Sequence, residues 1–167
     1  MRKLPSETTT HSYSFIEVVT RLEAFCAYQD RSEKEVRLKL SAFALSVDDN
    51  ERVIKHLFEH RFLDEERFVL SFVQGKFRMK KWGRIKLKSE LRKKGIAGSL
   101  IDRHLKELEG EQYIETIHSL IEKKYAQLSA EKDAFNKKVK VIRFVASKGF
   151  ELDLIQDAYN QLDLKHH

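Results

Sequence analysis

The sequence has little of what stabilises disulfide-linked, β-rich or membrane-spanning proteins. Its single cysteine, Cys26, cannot form a disulfide within the chain. One proline and six glycines leave few of the turn signals that separate short strands, so an all-β fold is excluded. No stretch near the N-terminus has the uninterrupted apolar run of a signal peptide or a membrane span. These absences predict a cytoplasmic protein that does not act at a membrane.

The abundant residue types favour helices packed around a core. The chain of 167 residues is 41% hydrophobic and 35% charged, and Lys, Glu, Leu and Phe are frequent. An apolar content of this size offsets the entropy lost when the chain becomes ordered, so a disordered protein is excluded. The length predicts one domain or a series of small units.

Apolar residues recur at helical spacing along nearly the whole chain after residue 13. The preceding residues, 1–13, are polar and contain the only proline, which predicts a flexible tail. Ser14 is a candidate N-cap for the first helix. Ser32 and Glu35 have the spacing of a capping box and predict the start of a second helix. Asp64 is a candidate acidic N-cap for a later one.

The helical pattern repeats about every 50 residues. Arg31-Ser32-Glu33 aligns with Trp82-Gly83-Arg84 at an offset of 51 residues, and that triplet aligns with Phe135-Asn136-Lys137 at an offset of 53. A repeat of this length is too short to be very stable alone, so each unit is expected to pack on its neighbours.

The alignment predicts equivalent positions in the three units. Leu40, Leu91 and Phe144 fall at matching places and are each predicted to be buried. Gly95 and Gly149 also match, and each is predicted to end a helix with a positive φ. In the first unit a longer connection, SAFALSVDDN, stands where the other two have Lys-Gly.

The expected fold class is all-α, with three tandem three-helix repeats that form an elongated, curved array. The predicted organisation is a flexible tail over 1–13, repeat 1 with a leading helix over 14–78, a basic repeat 2 over 79–129, and repeat 3 over 130–167.

Positive charge is concentrated in one segment. The chain carries a formal charge of +6, but Lys76 to Lys94 contains ten basic residues and one acid, Glu90, so this segment carries +9 and the remainder −3. A solvated helix face usually mixes both signs, because like charges at helical spacing repel. The bias favours an anionic partner, with Phe77 and Trp82 available for stacking. The alternative is that both rings are core and the charges only solubilise a helix.

A weaker excess of basic residues recurs in the third repeat, between Lys132 and Lys148. The anionic partner could be a phosphate backbone or an acidic protein groove. The candidate partner-binding and anion-binding residues are basic side chains of these two segments: Lys76, Arg78, Lys80, Lys81, Arg84, Lys86, Lys88, Arg92, Lys93, Lys94, Lys137, Lys138, Lys140 and Arg143.

Patterns that would indicate catalysis are weak. His56-Leu57-Phe58-Glu59-His60 satisfies H-x-x-E-H, but Leu57 and Phe58 belong to an apolar stripe and no third zinc ligand is evident. A surface helix is therefore favoured over a metalloprotease. The six glycines form no phosphate-binding loop, and Cys26 lies on an apolar helix face. We expect no enzymatic activity, no cofactor and no metal.

Three motifs follow one another along the first two repeats. They are Asp30-Arg31-Ser32-Glu33-Lys34-Glu35-Val36 with Leu40, Phe62-Leu63-Asp64-Glu65-Glu66-Arg67-Phe68, and Gly83-Arg84-Ile85 with Glu90-Leu91-Arg92-Lys93-Lys94-Gly95-Ile96. In this order the motifs resemble the bacterial RecX regulatory proteins. The resemblance covers about residues 15–162 and is weakest in the third unit. It departs at Glu65, where the family usually has Asp, and in the long first connection.

The resemblance implies an all-α protein without enzymatic activity that binds the filament of RecA recombinase on DNA. Such proteins lodge in the filament groove, limit filament extension or promote disassembly, and so lower strand exchange, ATP hydrolysis and co-protease activity. The expected partners are this filament and single- or double-stranded DNA, and the expected state is a monomer acting in recombination, DNA repair and the SOS response. The competing hypothesis is a helical DNA-binding module that acts without recombinase.

Overall fold

A computed structural model describes residues 11–108 and 110–162, and these residues form helices without any strand. The all-α fold class is therefore confirmed. The described residues contain nine helices: α1 Phe15–Tyr28, α2 Glu33–Ser41, α3 Val47–Glu59, α4 Glu65–Lys80, α5 Arg84–Lys93, α6 Gly98–Lys106, α7 Glu111–Gln127, α8 Ala134–Ser147 and α9 Leu152–Gln161.

The helix starts follow the local sequence signals. Ser14 caps α1, and the predicted capping box of α2 is confirmed. The Ser32 hydroxyl accepts a hydrogen bond from the Glu35 N–H at 3.3 Å, and the Glu35 carboxylate accepts one from the Ser32 N–H at 2.9 Å. Helix α4 begins at Glu65, directly after Asp64, as predicted.

The chain divides into two compact units, Met1–Glu65 and Glu66–His167. In the first unit, α1, α2 and α3 enclose one hydrophobic core. Each helix turns one apolar stripe inward, as amphipathic spacing requires. The buried side chains of this core are Val18, Leu22, Cys26, Val36, Leu40, Val53, Ile54, Leu57 and Leu63.

The second unit contains two cores. The first lies among α4, α5 and α6 and includes Val69, Val73, Leu87, Leu91 and Ile101. The second lies among α7, α8 and α9, and Phe77 at the end of α4 contributes to it. The buried side chains of this last core include Ile117, Ile121, Val141, Val145, Phe150 and Ile155.

The three-helix pattern recurs at spacings of 51 and 54 residues, as shown by the N-caps of α3, α6 and α9. These residues are Ser46, Ala97 and Glu151. The sequence repeats start at α2, α5 and α8, whereas the cores group α1–α3, α4–α6 and α7–α9. Both ways of grouping the helices give the same repeat length, but they place the repeat boundaries at different residues. The bounds 14–78, 79–129 and 130–167 therefore stay a prediction. Of the predicted tail, residues 1–10 lie outside the described residues.

The predicted buried positions hold in two of the three repeats. Leu40 and Leu91 are buried, but Phe144 is only partly buried, and its neighbour Val145 is fully buried instead. The prediction for Phe144 was wrong by one residue. The cause is helix length, because α8 has 14 residues and α5 has 10, so an alignment anchored near the helix start slips at the core positions.

The turns that follow α2, α5 and α8 share one backbone conformation. Gly95 has φ 80° and Gly149 has φ 92°, which confirms the two predicted helix ends. In the first unit Ala44, 51 residues before Gly95, has φ 52°. The longer connection therefore contains the same left-handed turn, formed at some strain by a residue with a Cβ.

Candidate anion-binding surface

The basic segment from Lys76 to Lys94 covers the end of α4, the link to α5, and α5 itself. Helix α5 buries Leu87 and Leu91, which directs most of its basic side chains outward. Phe77 is 5% exposed, so the expectation that this ring is available to a partner was wrong. Trp82 is half-buried against the core of α4–α6.

Three lysines surround a pair of aromatic rings in this segment. The Phe72 and Trp82 ring centroids lie 6.3 Å apart in an edge-to-face arrangement. Lys76 Nζ lies 5.6 Å from the Phe72 centroid and 5.3 Å from the Trp82 centroid. Lys86 Nζ lies 4.7 Å from the Trp82 centroid, and Lys94 Nζ lies 5.7 Å from the Phe72 centroid. We call Lys76, Lys86 and Lys94 the lysine cluster.

The ring faces explain how three like charges can sit together. Each ammonium is attracted by the negative face of a ring, an effect of about 0.5–1 kcal/mol at exposed sites. The methylene stems also cover apolar ring surface, so the ammonium groups are held at the rim of the core. The segment from Lys76 to Lys94 has ten basic residues and one acid, so positive charge stays in excess around these rings and favours an anionic partner.

Other cations of the segment are paired within the unit. Lys88 donates to the Asp102 carboxylate at 2.6 Å, and Lys93 donates to the Glu90 carboxylate at 2.8 Å. Each hydrogen bond lowers the pKa of the carboxyl group that accepts it. Lys86 and Lys94 of the lysine cluster also lie close enough to Glu90 to lower the pKa of its carboxyl group.

Arg84 belongs to an internal hydrogen-bond network. Its Nε donates to Glu151 at 2.6 Å, and the Tyr113 hydroxyl donates to the other oxygen of the same carboxylate at 2.7 Å. That hydroxyl also accepts the backbone N–H of Arg84 at 3.0 Å. Burial raises the pKa of Tyr113, so the phenol stays protonated and can donate. Arg84 thus links α5 to α7 and to the start of α9.

The N-terminus of α5 is capped by the turn after α8. The Gly83 N–H donates to the Lys148 carbonyl at 2.8 Å, and the Ile85 N–H donates to the Gly149 carbonyl at 3.0 Å. A Cβ on Gly83 would lie 2.4 Å from the Gly149 oxygen, and a Cβ on Gly149 would lie 2.3 Å from Cβ of Lys86. Only glycines allow this approach, which fixes α5 and its lysines against the third core.

The remaining predicted residues of the segment lie on the surface. Arg78, Lys80, Lys81 and Arg92 are all exposed. Lys81 has φ 55°, a conformation that residues other than glycine seldom adopt. It connects α4 to Trp82 and Gly83, where the chain turns sharply into α5.

The predicted residues of α8 form a separate set. Lys137 Nζ lies 3.5 Å from the centroid of the Tyr125 ring. Lys138 Nζ donates to the Asn160 side chain at 3.2 Å and lies 5.1 Å from the Tyr159 centroid. Both rings pack on the core of α7–α9, whereas the lysine cluster surrounds rings of the α4–α6 core.

Two further predicted residues of α8 differ in their pairing. Lys140 forms an ion pair with Glu131 and lowers the pKa of that carboxyl group. Arg143 is exposed. Sequence reasoning missed the Glu131 partner of Lys140, which lies in the connection before α8, and the Asn160 partner of Lys138, which lies on α9.

The H-x-x-E-H pattern on α3 does not assemble a metal site. His56 Nε2 lies 2.7 Å from a carboxylate oxygen of Glu23. Glu59 points toward Lys55, with 3.6 Å between the charged atoms. Within the two described ranges, no group of three or more His, Cys, Asp or Glu residues could hold a metal ion. In those same ranges, no helix combines the length and apolar character needed to cross a membrane.

Comparison with known proteins gives one family throughout. Two family models match, RecX, second three-helix domain, over residues 64–105, and RecX, third three-helix domain, over residues 111–159. A protein named Regulatory protein RecX from Salmonella paratyphi C (strain RKS4594) is 33% identical over 164 residues, which cover 92% of this chain and 96% of that protein. The protein of the same name from Salmonella heidelberg (strain SL476) matches equally well.

Solved structures agree with the sequence comparisons. The crystal structure of RecX from Lactobacillus salivarius superposes with a TM-score of 0.81 at 25% identity, over 90% of this chain and 97% of that chain. A crystal structure of a regulatory protein RecX gives a TM-score of 0.76 at 20% identity, over 88% of this chain and 74% of that chain. The second match supports the fold alone.

Proposed function

This chain belongs to the RecX family of regulatory proteins, and from that membership we propose that it binds the RecA–DNA filament and lowers recombinase activity. It acts by lodging in the filament groove or by limiting filament growth, and it catalyses no reaction of its own. The observation that carries the proposal is the lysine cluster, a positive site held in place by Phe72 and Trp82.

The charge distribution supports an anionic partner for the second unit. From Glu66 onward the chain has 22 basic and 14 acidic residues, whereas Met1–Glu65 has 10 basic and 12 acidic residues. A filament on DNA offers an anionic surface through the phosphates of that DNA. A localised positive field accelerates encounter with such a surface and favours one orientation on arrival.

The rigid placement of α5 supports tight binding through the same residues. Backbone hydrogen bonds from Gly83 and Ile85 anchor the helix start, and the Arg84–Glu151 pair adds a side-chain link. Side chains that are already positioned lose less conformational entropy when they bind. A filament also presents its surface repeatedly, so several modest contacts on one molecule reinforce one another through effective concentration.

A binding experiment tests the proposal. Fluorescently labelled protein is titrated with single-stranded DNA, with RecA alone, and with the filament assembled on the same DNA. We expect binding to the filament at least about tenfold tighter than to either component, because several contacts act together. Equal binding to naked DNA and to the filament would contradict the proposal.

The alternative function is a helical DNA-binding module that acts without recombinase. The lysine cluster favours this candidate too, because its ammonium groups suit phosphate oxygens. Under this alternative, binding to naked DNA weakens steeply with salt, with a slope of about 0.7–0.9 per phosphate contact on a double-logarithmic plot. Tight DNA binding together with unchanged RecA activity would replace the first proposal by the second.

A further inference from the structure

Equivalent surface positions in the two units carry different side chains. At the offset of 51 residues, Phe25 corresponds to Lys76 and Arg31 corresponds to Trp82. In the first unit, Cζ of Arg31 lies 4.2 Å from the centroid of the Phe25 ring. In the second, Nζ of Lys76 lies 5.3 Å from that of Trp82. The aromatic ring and the cation have thus exchanged positions between the two units. The first unit therefore has a different surface at the place where the second unit has the lysine cluster.

This surface of the first unit is a groove between α1 and α2. It encloses about 330 Å³ and is lined mainly by carbon atoms of Phe25, Leu38 and Ala42, with Arg31, Glu35 and Lys39 completing the wall. Leu38 is 75% exposed. An exposed leucine beside an aromatic ring in a concave site favours contact with an apolar side chain of another molecule. We call this site the α1–α2 groove.

The charged groups of the groove are unequally satisfied. Glu35 is occupied by the N-cap, because one of its oxygens accepts from both the N–H and the hydroxyl of Ser32. Arg31 Nε is buried, and within the described part of the chain nothing accepts its hydrogen bond. Lys39 Nζ lies 5.7 Å from the Phe25 centroid, on the same ring. Two cations, Arg31 and Lys39, therefore border the apolar floor formed by Phe25, and their charge favours a ligand that brings a carboxylate.

We propose that the α1–α2 groove binds an acidic peptide segment of a protein partner. One apolar side chain of the peptide packs on Phe25 and Leu38, and a neighbouring carboxylate faces the charges of Arg31 and Lys39. The volume suits one or two side chains rather than a whole helix. This site is separate from the lysine cluster and does not depend on what that cluster binds.

Nucleic acid is a poorer match for the same groove. A phosphate backbone carries a row of charges and needs a row of cations, whereas the groove lining contains only Arg31 and Lys39. The groove offers two cations beside an apolar floor, which matches one carboxylate next to one apolar side chain. A second copy of this chain would have to insert such a segment, and a concentration-dependent dimer would reveal it.

The first test uses a defined probe, the peptide acetyl-Asp-Leu-Phe-Glu-Asp-amide, added to the full-length protein labelled with ¹⁵N and with ¹³C in its leucine methyl groups. We expect shifts at the Arg31 Nε–H and Leu38 methyl resonances. The control peptide, acetyl-Asn-Leu-Phe-Gln-Asn-amide, should bind about tenfold more weakly, because it offers no charged acceptor. Equal binding of the two peptides would overturn the proposal.

Variants assign the binding to the groove. Leu38→Gln and Ala42→Glu change exposed positions and should preserve the fold while lowering peptide affinity at least about tenfold. Lys55→Gln, also exposed, is the matched control and should bind as the wild type does. Wild-type affinity in Leu38→Gln would contradict the proposal.

Two outcomes would assign the α1–α2 groove to another occupant and would overturn the proposal. One is displacement of the peptide by a DNA oligonucleotide, and the other is a dimer in sedimentation that Leu38→Gln dissociates. The variant with Lys76, Lys86 and Lys94 all changed to Gln should bind the peptide normally. Its behaviour separates a failure of this inference from a failure of the proposed filament function.

Discussion

The helices α2 and α5 occupy equivalent places in the two units but are capped in opposite ways. At the start of α2, Ser32 and Glu35 satisfy each other's backbone N–H groups within four residues of chain. Gly83, 51 residues later, has no side chain and donates its N–H to the Lys148 carbonyl. The cap of α2 is formed by residues of that helix alone. The cap of α5 is supplied by the turn after α8, so it couples the α4–α6 core to the α7–α9 core. We call it the α5 cap.

The same comparison extends to the surfaces beside these helix starts. The Phe25–Arg31 pair borders an apolar groove, and the Lys76–Trp82 pair belongs to the lysine cluster. The buried positions of the two frames nevertheless match, since Val18 and Val69 are both fully buried 51 residues apart. The comparison teaches that the repeat preserves core positions and allows exposed positions to acquire separate functions.

Core truncation should give the largest effect and tests whether the frames are equivalent. Leu40→Ala and Leu91→Ala each remove a buried side chain and should each cost about 2–5 kcal/mol in the unit that contains it. Urea unfolding checks this, with Trp82 fluorescence reporting the second unit and circular dichroism reporting both. A cost below about 0.5 kcal/mol at either position would break the equivalence.

The next prediction concerns the α5 cap, in which the turn after α8 contacts the start of α5. Gly149→Ala places a Cβ 2.5 Å from the Lys86 nitrogen at a residue with φ 92°, so the turn must move away from α5. We expect a loss of about 2–3 kcal/mol in the transition reported by Trp82 fluorescence. Gly75→Ala is the matched control, because nothing lies within 4 Å of its Cβ, and it should be neutral or stabilising. Equal stability of the two variants would show that the close approach is unimportant.

The side-chain hydrogen bonds that link α5 to α7 and α9 should contribute less to stability than the close backbone approach at Gly149. Tyr113→Phe removes the hydroxyl shared by the Arg84 N–H and Glu151 and should cost about 1–2 kcal/mol in the second unit. Glu151→Gln and the double variant complete a thermodynamic cycle, and the cycle should show a coupling of at least about 0.5 kcal/mol. Additive losses would mean that Tyr113 and Glu151 act independently.

The smallest effect concerns the left-handed turn after α2. Ala44→Gly should stabilise the first unit by about 0.5–1 kcal/mol, because glycine adopts φ 52° without a Cβ clash. Gly95→Ala, the reverse change at the equivalent place, should destabilise the second unit by a similar amount. Thermal unfolding of both variants measures the pair, and shifts of the same sign would contradict the shared turn geometry.

Local signals were predictable from the sequence, and distant ones were not. The capping box at Ser32, the helix ends at Gly95 and Gly149, and the burial of Leu40 and Leu91 depend on residues close in sequence. The burial of Phe144 was misplaced because helix lengths differ between repeats.

The candidate site shows the same division. Charge counting located the basic segment, but the spacing of residues gave no means to separate Arg84, which meets Glu151 67 positions away, from Lys86, which faces Trp82. The cap of Gly83 is likewise supplied by a turn on another helix pair. The sequence did contain one signal for that contact, because Gly83 stands at the position where the preceding repeat has the capping residue Ser32.

The most direct test of the filament hypothesis compares two variants of equal net charge. One changes Lys76, Lys86 and Lys94 to Gln, and the other changes the exposed residues Lys55, Lys106 and Lys123 to Gln. Each is titrated into RecA filaments on single-stranded DNA while ATP hydrolysis is recorded. We expect the lysine-cluster variant to need at least about tenfold more protein for half-maximal inhibition, and the control to match the wild type. Equal potency of the two variants would contradict the role of the lysine cluster.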